Sequence, residues 1–321
     1  MNAPVISARG LTKRYGRTTV VDAIDFDVAK GEIFGLLGPN GAGKTTTILM
    51  MLGLTEVSAG TITVLDHDPV RDPLAVKRRV GYLPDQVGFY DSMTASENLV
   101  YSARLMGIPA DEREKRIGEA LARVRLSDVA QKRVKTFSRG MRQRLGLAEI
   151  VMKRAEIAIL DEPTSGLDPQ ATIEFLEMIE DLKRGGVSVL LSSHMLDQVQ
   201  RVCDRVALFQ GGRIVLMGSV PELARQVLGA GFVVEVEADA ANDLDARFTA
   251  IPGVSAVARV GADRYRLTAE RDVRPDAARA VVAANGALRR LSVADPSLEA
   301  IYAGYFQRQA KPQQEAHHAA A

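Results

Sequence analysis

Eight consecutive residues, Gly38-Pro39-Asn40-Gly41-Ala42-Gly43-Lys44-Thr45, fit the pattern G-x-x-x-x-G-K-[ST]. The chemistry of that pattern is phosphate binding. Glycines let successive backbone N–H groups turn inward around a phosphate chain. A helix opening at the end of the loop aims its positive terminus at the same anion. Gly38, Asn40, Gly41 and Gly43 would form the cradle, with Thr46 beside it. Lys44 would reach the β- and γ-phosphates, and the Thr45 hydroxyl would ligate Mg²⁺.

A second group lies far downstream. Ile157-Ala158-Ile159-Leu160-Asp161-Glu162 is an apolar run that ends in two carboxylates. Adjacent acids at the end of a buried strand are costly unless paired or set near a cation. Standing alone, such a pair reads as an acidic strand end exposed in a loop. Together with a phosphate loop it reads as catalytic. Asp161 would hold Mg²⁺, directly or through water, and Glu162 would polarise an attacking water as general base.

Residues so far apart need a scaffold that brings them together. The run 31–38 reads as a buried strand ending in glycine, the expected lead-in to a phosphate loop, and 45–52 as the helix that follows. The residues before it read as short strands. Further strands are predicted over 61–65 and 80–83. Thr94-Ala95-Ser96-Glu97 is a capping box that opens a helical stretch running to about residue 126, split in two by Pro109. Helices over 140–153, 169–184 and 195–202 alternate with strands over 157–160 and 187–191. The β-branched run 157–160 suits a fully buried parallel strand. Alternation of this kind predicts a layered α/β core.

Beyond a short helix over 221–228, Gly229-Ala230-Gly231 marks a boundary. The following segment reads as a strand (232–237), a helix (241–250), a hairpin (254–260 and 264–268), a helix (275–285) and a strand (288–293). That βαββαβ order is ferredoxin-like. An amphipathic helix over 297–309 precedes a polar, alanine-rich tail.

The 321 residues suit two domains, and the net charge of +1 gives no sign of a nucleic-acid-binding surface. Cys203 is the single cysteine, which excludes an internal disulfide and suits a reducing compartment. It reads as a packed thiol. No run is long and apolar enough to span a bilayer. The opening residues lack the apolar stretch of a signal peptide.

Between the two site motifs stands Phe137-Ser138-Arg139-Gly140-Met141-Arg142-Gln143-Arg144. With it the chain resembles the ATPase subunits of ABC transporters, whose signature is L-S-G-G-Q. Ser138 and Gly140 keep their places, while Phe137, Arg139 and Met141 depart from the usual form. This variant resembles the branch serving ABC-2-type exporters. The resemblance covers about residues 3–225. It implies that Ser138 and Gly140 bind the γ-phosphate held by a second subunit, as a serine at a helix N-terminus can. Pro163-Thr164-Ser165-Gly166-Leu167-Asp168 matches the D-loop, with Asp168 at the dimer contact. His194, after Leu191-Ser192-Ser193, corresponds to the switch histidine, and Tyr15 to the aromatic that stacks on adenine. The Q-loop departs again. In Tyr82-Leu83-Pro84-Asp85-Gln86, aspartate occupies the usual glutamine position, which leaves Asp85 and Gln86 both as candidate Mg²⁺ sensors. Pro296-Ser297-Leu298-Glu299-Ala300-Ile301-Tyr302 resembles an ending common on this branch.

The resemblance implies an ABC ATPase domain over 3–228, with a RecA-like core and a helical subdomain. The element order beyond it reads as an accessory βαββαβ domain over 231–308, and the composition that follows as a disordered tail over 309–321. ATP and Mg²⁺ are the expected ligands. A membrane-spanning permease and a second ATPase subunit, identical or paralogous, are the expected partners, and no nucleic acid is expected. The permease would dock near Val87, Phe89 and Tyr90. The expected location is cytoplasmic, peripheral at the inner face of the cell membrane. Two other readings are a soluble ABC ATPase of DNA repair or translation and a non-hydrolysing ATP sensor. The chain lacks the tandem cassettes or long coiled coil of the first, and carries the catalytic positions the second would dispense with.

Overall fold

The computed structural model describes residues 3–228, 232–239, 244–294 and 297–305. Strands β1 (Ile6–Tyr15) and β2 (Thr18–Val28) pair antiparallel, and β4 (Ala59–Val64) adds to the other edge of β1. These first strands are long, not the short pieces the sequence suggests. Register shifts interrupt them where Gly10 (φ +55°) and Ala23 (φ +48°) bulge out of the ladder. A bulge breaks the two-residue alternation, so one bent strand reads as several.

The second sheet carries the site. It has the order β5 (Val80–Leu83), β6 (Ile157–Asp161), β7 (Ser188–Ser193), β3 (Ile33–Leu37), β8 (Arg205–Gln210), β9 (Arg213–Gly218). The pairings from β5 through β8 are parallel. Every residue of β3, β6 and β7 is buried, as unbroken apolar runs require in a sheet covered on both faces. Helix α1 (Lys44–Met51) follows β3, α2 (Pro73–Arg79) leads into β5, and α6 (Pro169–Arg184) and α7 (Leu196–Val202) flank β7. Gly35 sits where α7 approaches the sheet most closely. A Cβ there would stand 2.9 Å from Val199 Cγ1 and 3.0 Å from Cys203 Sγ.

Three helices form an arm between β5 and β6: α3 (Ala95–Leu105), α4 (Ala110–Arg123) and α5 (Arg139–Lys153). The capping box is present. The Thr94 hydroxyl accepts from the Glu97 N–H at 3.1 Å, and Glu97 accepts from the Thr94 N–H at 2.7 Å. Pro109 separates α3 from α4 by standing at the N-cap of α4.

The chain divides into two compact units, Met1–Met217 and Gly218–Ala321. The second holds α8 (Val220–Leu228), β10 (Phe232–Asp239), α9 (Leu244–Thr249), β11 (Val254–Arg259), β12 (Arg264–Ala269), α10 (Arg274–Ala283) and β13 (Ala287–Ala294). Residues 298–305 are helical. The sheet order β11-β12-β10-β13, with every neighbour antiparallel, is ferredoxin-like. Its core includes Val234, Val236, Phe248, Leu267 and Val281. The expected boundary at Gly229-Ala230-Gly231, the first residues of the 241–250 helix, Pro296 and the tail from 306 lie outside the described residues.

Candidate active site

Strand β3 ends at Leu37, and the loop to α1 turns on three glycines at positive φ: Gly38 (+147°), Gly41 (+80°) and Gly43 (+105°). Two have no room for a side chain. A Cβ on Gly38 would lie 2.4 Å from the Phe209 carbonyl oxygen, and one on Gly43 2.8 Å from that of Val20. Gly43 is also the N-cap of α1, so the helix begins directly under the loop. Lys44 turns back into this loop. Its Nζ donates to the carbonyls of Gly38 at 2.6 Å and Pro39 at 3.3 Å, and the residue is 4% exposed. The carbonyls hold the ammonium where a phosphate would meet it.

The carboxylates close the other wall. Asp161 Oδ1 accepts from the Thr45 hydroxyl at 3.2 Å and from the Ser192 hydroxyl at 2.5 Å. Glu162 adopts a φ of +49°, which costs a non-glycine residue roughly 1–3 kcal/mol. Its N–H donates to the Ser192 hydroxyl at 3.0 Å, which helps hold that conformation. The carboxylate lies between two partners. Oε2 is 2.8 Å from His194 Nδ1, and Oε1 is 3.1 Å from Lys44 Nζ. The second contact is an ion pair without hydrogen-bond alignment, so Oε1 is buried with no hydrogen-bond partner. A buried acceptor of this kind is suited to take a proton or orient a water. Nearby, burial and the charge of Asp161 push the Tyr82 phenol up to about 12.

These groups open on one cleft of about 340 Å³, lined by Val20, the loop from Pro39 to Thr46, Asp85, Asp161 and Glu162. Gly38 itself is buried beneath it. A hydroxyl and a carboxylate 3.2 Å apart are the hard oxygen donors that Mg²⁺ takes. Among the described residues no group of three or more His, Cys, Asp or Glu side chains could cage a metal ion. Thr45 and Asp161 therefore fit a Mg²⁺ that takes its remaining oxygens from phosphate and water.

The remaining expected residues lie as follows. Asp85 lines the cleft, whereas Gln86 is exposed and does not line it. Ser138 caps α5 through the Met141 N–H at 3.2 Å, and Gly140 is buried within the first turn. Neither lines this cleft. Asp168 caps α6 through the Ala171 N–H at 2.8 Å. Tyr15 is half exposed, with Lys13 Nζ 4.8 Å from its ring centre. Val87 and Phe89 are partly buried, and Tyr90 is exposed beside Tyr101. Sequence reasoning missed Ser192, which touches both carboxylate residues. Its one signal is a hydroxyl that directly follows the apolar run Val189-Leu190-Leu191 near the end of β7.

A phosphate loop between β3 and α1, with acids closing β6 and a histidine following β7, defines a P-loop nucleotide hydrolase. The attached antiparallel sheet and the inserted helical arm make it one of the ABC type. The chain belongs to the ATP-binding subunits of ABC transporters, and it is an ATPase. The family profile described as ABC transporter matches residues 21–165. The linearmycin resistance ATP-binding protein of Bacillus subtilis (strain 168) is 35% identical over 239 residues, covering 74% of this chain and 76% of that protein. The daunorubicin resistance ATP-binding protein of Streptomyces coeruleorubidus is 36% identical over 281 residues, covering 87% of each. A solved structure of an ATP-binding subunit of an ABC transporter superposes with a TM-score of 0.63 at 31% identity, covering 69% of this chain and 92% of that one. Among the described residues no helix is long and apolar enough to cross a membrane.

Proposed function

We propose that this subunit drives an exporter, and that two such ATPase domains close head to tail around two ATP molecules. The observation that carries the catalytic part is Glu162, held between Lys44 and His194, with its buried Oε1 ion-paired to Lys44 but without a hydrogen-bond partner. Each ATP would lie between the loop Gly38–Thr46 of one subunit and Ser138 and Gly140 of the other, with Asp168 at the contact. Tyr15 would stack on the base. The position of Ser138 on α5, away from its own subunit's cleft, supports this reading.

In the closed site Lys44 neutralises the β- and γ-phosphates. Thr45 and Asp161, with Asp85 lining the same cleft, would hold a Mg²⁺, which would supply charge neutralisation to the phosphates. Glu162 accepts the proton of the attacking water, and His194 fixes the Glu162 carboxylate and faces the γ-phosphate. Release of phosphate would reopen the dimer. Asp85 is favoured over Gln86 as the Q-loop residue because it lines the cleft.

The partners would be a second ATPase subunit and a membrane permease, with the subunit peripheral at the cytoplasmic face. The drug-resistance relatives support export. A largely apolar groove of about 260 Å³, lined by Leu52, Leu54, Tyr82 and Met106 among others, lies by the strand that leads to Asp85 and suits a permease segment. We assign ATP hydrolysis to a domain over 3–228 and an accessory role to the βαββαβ domain over 231–308. Co-purification in detergent from native membranes tests the proposal. A polytopic membrane protein recovered in stoichiometric complex supports it. Recovery of soluble partners alone would overturn it.

A further inference from the structure

The mechanism above leaves Arg139 without a role. Its side chain crosses from the first turn of α5 to the loop after β5, where Nη2 donates to Asp85 Oδ1 at 2.6 Å. One turn further on, Gln143 Nε2 donates to the Asp85 backbone carbonyl at 3.0 Å. Positions i and i+4 share one face of a helix. That face continues down the strand. A Cβ on Gly146 would stand 2.3 Å from Leu83 Cδ1, and one on Gly81 2.7 Å from Ile150 Cγ2. Residues 81–85 and helix α5 are thus keyed together, by close packing at one end and by two donors on Asp85 at the other. Gln143 is 2% exposed, so its grip on Asp85 is not readily traded for water. Arg139 also lies against the turn before α6. A Cβ on Gly166 (φ +67°) would come within 3.2 Å of Arg139 Nε.

The two ends of this connection face different chemistry. Asp85 lines the phosphate cleft of its own chain, while Ser138, next to Arg139, does not line it. In the head-to-tail pair, Ser138 meets the nucleotide of the other subunit. We propose that Arg139 is a positioning residue that fixes Ser138 to Asp85, so that what fills one phosphate cleft sets where the serine serving the other cleft stands. The inference rests on the head-to-tail reading above. The side chains of Arg139 and Asp85 are 44% and 45% exposed, so the pair contributes little to the stability of the fold. What it restricts is the placement of the first turn of α5. A triphosphate entering the cleft brings negative charge towards Asp85 and shifts that side chain, and Arg139 follows it through the ion pair. Gln143 keeps the backbone tether.

The test uses the full chain in a Glu162→Gln background, in which the ATP-bound dimer accumulates. Sedimentation reads the dimer dissociation constant for Arg139→Met, Asp85→Asn and the double variant. Each single change is expected to weaken the dimer about tenfold, and the double no further than the worse single. The affinity of Arg139→Met for a fluorescent ATP analogue, read well below the dimerising concentration, is expected to stay within about twofold of the parent. Additive losses would overturn the inference and leave the dimer intact as a reading. A fall in single-chain affinity equal to the fall in dimerisation would instead make Arg139 part of its own cleft. A Glu162→Gln parent that never dimerises with ATP would remove the head-to-tail reading and this inference together.

Discussion

The Nδ1 of His194 and the Oε2 of Glu162 stand 2.8 Å apart across the ends of two neighbouring parallel strands. The histidine is 43% exposed on its side chain and the glutamate 15%. The pair is thus a largely buried base held by a more exposed partner. Glu162→Gln should keep ATP binding, accumulate an ATP-bound dimer and lose about 10²–10⁴-fold in turnover. His194→Ala should lower kcat more than it raises KM, since it leaves the phosphate loop untouched. Steady-state ATPase assays with equilibrium nucleotide binding separate the two effects. Wild-type turnover in Glu162→Gln would remove Glu162 as the base.

Lys44 presents the reverse case, a residue whose loss should abolish binding ahead of chemistry. Its ammonium is buried among loop carbonyls and Glu162, poised for an anion. Lys44→Ala should weaken ATP binding about 10–100-fold, the value of one or two charge-assisted hydrogen bonds. The rise in Tm that ATP gives the wild-type chain should disappear with it. Calorimetric titration with ATP and Mg²⁺ reads the first effect. Chelating Mg²⁺ from the wild-type protein should stop hydrolysis while ATP binding persists at reduced affinity.

Glu149 gives a pH prediction. It lies on α5 beside Lys153 and accepts a hydrogen bond from the Ser102 hydroxyl. Burial raises its carboxyl above the ordinary 4.5, although Ser102 and Lys153 pull it back in part. A carboxyl whose pKa is raised by folding prefers to be protonated in the folded state. Its contribution is complete below the unfolded pKa and is lost as pH rises through the folded one. Glu149→Gln, which mimics the neutral form, should therefore raise Tm around pH 8. The gain should shrink as pH is lowered towards 4.5. A variant less stable than wild type around pH 8 would instead mean that the charge of Glu149 beside Lys153 supports the fold.

The cradle makes a steric prediction. Gly38→Ala places a methyl 2.4 Å from the Phe209 carbonyl oxygen, a backbone atom that cannot rotate away. The variant should lose about 1–3 kcal/mol of stability, as overpacked sites do. Gly41→Ala meets no atom within 4 Å, so the backbone conformation at φ +80° is its one source of strain. It should be the milder of the two by denaturant titration.

Most of this site was legible from the sequence because each part is a local pattern. The phosphate loop is contiguous, and the acids close a β-branched run. The ferredoxin-like order was legible because β10 alternates and the elements after it are separated by turn residues such as Gly261 and Gly286. What escaped depends on pairing across the chain. Ser192 reaches Asp161 only because β6 and β7 are neighbours in parallel register. Arg139 finds Asp85 only because α5 lies along the segment after β5. The bulges at Gly10 and Ala23 hid the true length of β1 and β2. The edge of the main sheet, β8 and β9, and helix α2 were not resolved by periodicity.

The close approach of α7 to Gly35 has a practical consequence for watching this subunit at work. The sulfur of Cys203 packs under that glycine, and its burial, followed by the charges of Asp204 and Glu32, raises the thiol well above the ordinary 9.0. Cys203 is partly exposed, but its raised pKa leaves little thiolate at neutral pH, so the one native cysteine of the chain should react with alkylating reagents more slowly than a fully exposed one. A cysteine introduced at an exposed position such as Arg184 or Val282 should therefore take a spin label or fluorophore ahead of Cys203. Two such reporters would follow the proposed closing of two subunits on a chain that is otherwise wild type.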